Sequence, residues 1–99
     1  MSDTLLTNPH AGEILKQEFL DELQITSQAL SLAIGVSLDN MKLIIRGKSS
    51  IKADIDLRLC RYFGLSEGYF LRLQNAYELM EAKRELGESL NQIVPLAIS

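Results

Sequence analysis

Between Ser37 and Lys48 the chain places side chains suited to recognising a phosphodiester polymer and reading its bases. Lys42, Arg46 and Lys48 are cations that can neutralise phosphates and set register, whereas Asn40, Ser37 and the earlier Gln28 carry directional donors and acceptors that suit base edges. Asparagine can pair bidentately with adenine. Leu43 can touch a thymine methyl, but it can equally be ordinary surface or part of a protein contact. Asp39 would repel phosphate, so its better use is near a helix N-terminus, where a carboxylate is favoured.

Other chemistries lack their parts. One histidine and one cysteine, with no CxxC, leave a zinc site short of ligands and exclude an internal disulfide. Ser49 and Ser50 have no histidine placed to act as a base, so no serine triad can be built. No metal, cofactor or catalytic residue is therefore expected. His10, beside Pro9, reads as a surface histidine, and Cys60 as a core thiol. Tyr62, Phe63, Tyr69, Phe70 and Tyr77 recur at helical spacing and read as core or dimer contacts rather than a base-stacking platform.

The elements that must position the 37–48 stretch are legible in TSQALSLAIGVSLDNMKLIIR, residues 26–46. Leu30, Ala33 and Ile34 mark one helical stripe, and Met41, Ile44 and Ile45 a second. Between them Gly35 can take positive φ and end the first helix, Val36 can enter the core, and Ser37 can cap the second helix. This is a helix-turn-helix, in which the second helix offers its N-terminal residues to the major groove and the first braces across the backbone.

Around that unit the pattern predicts an all-α bundle of five short helices. Pro9 precedes a first helix from about Gly12 to Leu23, with Ile14, Leu15, Phe19, Leu20 and Leu23 as its apolar stripe. Thr26 caps the second helix. Gly47 stops the third, and a fourth begins near Ala53 with Ile55, Leu59, Cys60 and Phe63 facing inward. After Gly64, Ser66 is placed to cap a fifth helix carrying Phe70, Leu73, Ala76, Tyr77 and Met80. Leu86, Leu90, Ile93 and Val94 can extend a helix as far as Pro95, against the cost of Gly87. Three regions result: an arm over 1–10, the domain over 11–85 and a tail over 86–99. The tail residues Leu90, Ile93, Val94, Leu96 and Ile98 suit either a fold back on their own domain or burial against another subunit or partner.

Charge is unevenly distributed along the 99 residues, whose net charge is −3. Residues 24–63 hold six cations (Lys42, Arg46, Lys48, Lys52, Arg58, Arg61) against three aspartates, whereas residues 1–23 hold one lysine against five carboxylates. The basic excess thus coincides with the helix-turn-helix, and the acidic flanks would restrain non-specific binding or face a basic partner. A chain of this length supports one core rather than two domains with a cleft between them. It has neither a membrane-length apolar run nor the N-terminal pattern of a signal peptide, so a cytoplasmic location is expected.

Three blocks carry a family resemblance: residues 9–15 (PHAGEIL), residues 47–51 (GKSSI), and residues 57–64 (LRLCRYFG) running on to LQNAYEL at 73–79. Over about residues 9–80 the chain resembles the HigA/VapI antitoxins, a branch of the XRE, or Cro/C1-type, helix-turn-helix proteins. The resemblance implies a five-helix, lambda-repressor-like DNA-binding domain that acts as a homodimer on double-stranded operator DNA and represses its own operon. It also implies a partner, a RelE/HigB-like toxin that cleaves mRNA on the ribosome.

By the same resemblance Ser27 stands where the bracing helix usually opens with a phosphate-contacting glutamine, with Gln28 one residue later. Ser31 replaces the usual alanine inside the motif. Ser37, Leu38, Asp39, Lys42, Leu43 and Arg46 take the positions that meet DNA, and Asn40 stands where arginine is frequent. An alternative remains, a helix-turn-helix scaffold used for protein contacts with weak or no DNA binding.

Overall fold

Side-chain and backbone caps decide where the helices of this chain begin. The computed structural model describes residues 8–97, which form five α-helices and, among the described residues, no strand. Helix α1 (Ala11–Ile14) starts at His10, whose Nδ1 accepts from the Glu13 N–H at 3.1 Å. It continues as a wider π-helical segment, Leu15–Asp21. Helix α2 (Ser27–Ile34) starts where Thr26 Oγ1 accepts from Ala29 N–H at 3.0 Å. Helix α3 (Leu38–Ile45) starts where Ser37 Oγ accepts from Asn40 N–H at 3.1 Å. Helices α4 (Ala53–Phe63) and α5 (Tyr69–Leu86) complete the set, followed by a 3-10 turn over Gly87–Gln92.

The first helix departs from the α-helical stripe that the sequence suggests. In the π-helical coil Leu15 and Leu20, five apart, are both buried, and Lys16 pairs with Asp21 at the same spacing, 2.5 Å apart. The wider coil shifts the helical phase of the residues after it. Leu23, expected in the stripe, is therefore 55% exposed, and the chain turns through Gln24 at φ +57°.

The core is one cluster to which every α-helix contributes. Leu15, Leu30, Met41, Leu59 and Phe70 are fully buried within it, and Val36 packs against it as expected of the turn residue. Cys60 is buried as well. Phe19 joins Phe63, Tyr69 and Phe70 in an aromatic group with ring centroids 4.8–6.4 Å apart. Tyr62 stands at its edge, 44% exposed.

The cap of α5 also differs from expectation. Its N-terminal residue is preceded by Gly68, and Ser66 contributes only its carbonyl, which accepts from Tyr69 N–H. The side-chain acceptor is Asp56, buried in α4, which accepts from the backbone N–H groups of Gly68 (2.7 Å), Phe70 (2.9 Å) and Leu71 (3.1 Å). A carboxylate with two oxygens, held by a neighbouring helix, serves three donors at once, which a serine hydroxyl cannot do.

Two ends of the chain behave differently. Asn8 Nδ2 donates to the Tyr77 carbonyl and to Glu81 Oε2, both at 3.0 Å, so Asn8, inside the expected arm, is held against the domain. Residues 1–7 of that arm, and Ile98 of the tail, lie outside the described residues. At the other end α5 stops at Leu86 and does not run on to Pro95, because Gly87 leaves helical geometry at φ +53°, ψ −126°. From Glu78 onward every described residue is exposed. The Cα radius of gyration, 16.7 Å, accordingly exceeds the ~13 Å of a compact domain of this length.

Candidate nucleic-acid interface

Helix α3 separates its two faces cleanly. Met41 and Ile44 are buried and Ile45 is half-buried against the core, whereas Asp39, Lys42, Leu43 and Arg46 are exposed on the other side. The inward set recurs every three to four residues, so the outward set lies together on the surface. Among the described residues Lys42, Arg46 and Lys48 take part in no ion pair, and their charge is available to a ligand.

The rest of the expected set divides by exposure. Gln28, Ser37 and Lys48 are exposed, Ser27 and Asn40 are half-buried at the edge of the surface, and Leu38 is half-buried. The Ser37 hydroxyl already serves the α3 cap but keeps its own O–H as a donor. Ser31, 4% exposed, donates back to the Gln28 carbonyl at 2.8 Å, satisfying its hydroxyl at the crossing of α2 and α3.

Several residues that the sequence does not mark as functional hold this surface in place. Gly12 lies so close under α3 that an added Cβ would come within 1.8 Å of the Ile44 carbonyl oxygen. Only glycine allows that approach. Gly35, at φ +74°, makes the turn between α2 and α3, and Arg58 Nη1 donates to the Ile34 carbonyl at 2.7 Å, placing a cation at the C-terminus of α2. Gln74 grips the loop after α3 from α5, its Oε1 accepting from Ile51 N–H at 2.6 Å and its Nε2 donating to the Ile51 carbonyl at 2.9 Å. For Asp56 a signal was present: it falls four residues before Cys60 on the inward stripe of α4. Gln74 and Arg58 carry no comparable mark, since each acts on a backbone group more than twenty residues away.

A short helix, set beyond a glycine turn with its outer face cationic and open, is the arrangement of helix-turn-helix DNA-binding proteins. No model of a known protein family matches the chain. Individual relatives do. Virulence-associated protein I of Dichelobacter nodosus is 40% identical over 88 residues, covering 89% of this chain and 81% of that protein. Antitoxin HigA-1 of Vibrio cholerae is 32% identical over 88 residues, covering 89% and 83%. Among solved structures, the Pseudomonas aeruginosa antitoxin HigA with the higBA promoter superposes with a TM-score of 0.83 at 38% identity, covering 92% of this chain and all of that one. The antitoxin GraA in complex with its operator gives 0.82 at 30% identity, covering 94% of each chain. The chain belongs to the HigA/VapI family of helix-turn-helix antitoxins.

No helix among the described residues is long and apolar enough to cross a membrane.

Proposed function

We propose that this protein is a cytoplasmic antitoxin that binds its own operator as a homodimer and represses the operon encoding it and a RelE/HigB-like toxin. Lys42, Arg46 and Lys48 engage phosphates, with Ser27 and Gln28 bracing the adjoining backbone. Asn40 and Ser37 face base edges, Leu43 lies against the groove floor, and Asp39 and Leu38 complete the N-terminal turn of α3. The observation that carries this reading is the outward face of α3, whose cations are exposed and, among the described residues, in no ion pair, while its inner face is locked in the core. The promoter-bound and operator-bound relatives support it.

The test is a fluorescence-anisotropy titration of the protein's own upstream DNA against unrelated DNA, repeated between about 50 and 200 mM salt. Selective binding that weakens steeply with salt is expected. Lys42→Glu with Arg46→Glu should abolish it while the helical circular dichroism is unchanged, because neither side chain packs inside. If the double variant binds as wild type does, α3 is not the DNA-reading helix. If wild type itself shows no selectivity, the domain is a scaffold for protein contacts.

A further inference from the structure

The C-terminal end of α3, where the candidate phosphate contacts Arg46 and Lys48 lie, is held from behind at three points. Two are the Gly12 approach to Ile44 and the Gln74 grip on Ile51. The third is His10. Its ring lies over Gly47 so closely that a Cβ on that glycine would come 2.7 Å from Nε2 and 2.9 Å from Cδ2. The ring also meets Tyr77 of α5 edge-on, with centroids 6.1 Å apart and planes at 82°. Through Nδ1 the same ring caps α1. Asn8, two residues earlier, ties the segment to Tyr77 and Glu81. His10 is therefore half-buried between α1, α5 and Gly47 in the turn after α3, and is not the plain surface histidine that its place in the sequence suggests.

We propose that His10 is a positioning residue for operator binding, its imidazole acting as the brace that fixes Gly47 and with it the 46–48 segment. This rests on the DNA-binding reading of α3. Gly47 itself lines a half-open cleft of about 150 Å³ together with His10, Ser50, Gln74 and Tyr77, so the loop has room to move once the ring is gone. The N–H groups of Lys48 and Ser49 bond to the Leu43 carbonyl at 2.8 and 3.3 Å, and these bonds report directly on how firmly the segment is held. The ring itself need not touch DNA.

His10→Asn separates bracing from capping, because asparagine is a good N-cap acceptor but supplies no ring. Its thermal midpoint is expected within about 3 °C of wild type. In the free protein the Lys48 and Ser49 amides should exchange with solvent at least about tenfold faster. Operator affinity should fall about tenfold with an unchanged salt slope, since no phosphate contact is removed. His10→Ala should show the same losses together with a lowered midpoint. Exchange and affinity both unchanged in His10→Asn would overturn the proposal and leave His10 as a helix cap alone. A salt slope reduced by about one would overturn it in another way, showing direct phosphate contact by the ring. The exchange measurement needs no DNA, so it tests the brace even if wild type shows no selective operator binding.

Discussion

A carboxylate buried away from water costs several kcal/mol unless its oxygens are engaged, and Asp56, 1% exposed, meets that condition with three backbone donors and the Cys60 thiol. Its negative charge also faces the N-terminal turn of α5, where the helix dipole favours it. Asp56→Ala should therefore destabilise the domain by about 3 kcal/mol, read by urea unfolding, because it strands the buried Phe70 N–H and takes the acceptor from the half-buried N–H groups of Gly68 and Leu71. Asp56→Asn keeps one acceptor and turns an NH2 group towards the remaining donors, so a loss of comparable sign and smaller size is expected. A fully stable Asp56→Ala variant would mean that α5 is capped in another way. At this scale the sequence was a partial guide: it placed a carboxylate on an apolar stripe, yet the donors it serves lie twelve to fifteen residues away, and no local pattern announces such a partner.

Among the elements, α2, α3 and α4 were readable because local signals agreed. Thr26 and Ser37 stand immediately before apolar-periodic runs, and glycines follow where each run ends. The first helix was readable in its extent and in Leu15, Phe19 and Leu20, but its π-helical coil was not, because that coil answers to how these side chains pack against the other helices rather than to any residue preference within the segment. The outward face of α3 could be listed from periodicity, but what fixes its angle could not. That angle depends on Gly12, where two backbones meet with no room for a methyl group. Gly12→Ala would place Cβ within 1.8 Å of the Ile44 carbonyl oxygen, so α1 and α3 must part. Overpacking against backbone is expected to cost about 2 kcal/mol or more, and operator affinity should fall with it because α3 carries both the inner contact and the outer face. Thermal unfolding and anisotropy on one preparation check this. An alanine variant with wild-type stability and affinity would show that the helices tolerate separation and that the close crossing does not set the DNA-reading surface.

The whole molecule is longer than its core requires, extending 52 × 36 × 22 Å, because the second half of α5 and the tail project beyond it. Leu79, Leu86, Ile93, Val94 and Leu96 are 47–83% exposed there, and the described tail does not fold back on its own domain. Of the uses the sequence left open for the tail, burial against another chain is the one this exposure favours. A second copy is the economical occupant for a DNA-binding reading, since one recognition helix covers only about half a turn of duplex and two-fold pairing joins two half-sites. A stable pair needs about 800 Å² from each partner, which a projecting helix and an apolar tail can supply. Leu86→Glu with Ile93→Glu adds like charges to a segment that already carries Glu81, Glu85 and Glu88, without touching the core or α3. Light scattering after gel filtration should then show a dimer for wild type and a monomer for the variant, with equal helix content. Operator affinity should fall by about a hundredfold or more as the linkage between half-sites is lost, while the weak affinity of a single half-site persists. A variant that remains dimeric and binds as tightly as wild type would place the subunit contact elsewhere and return the exposed tail to the toxin as its alternative partner.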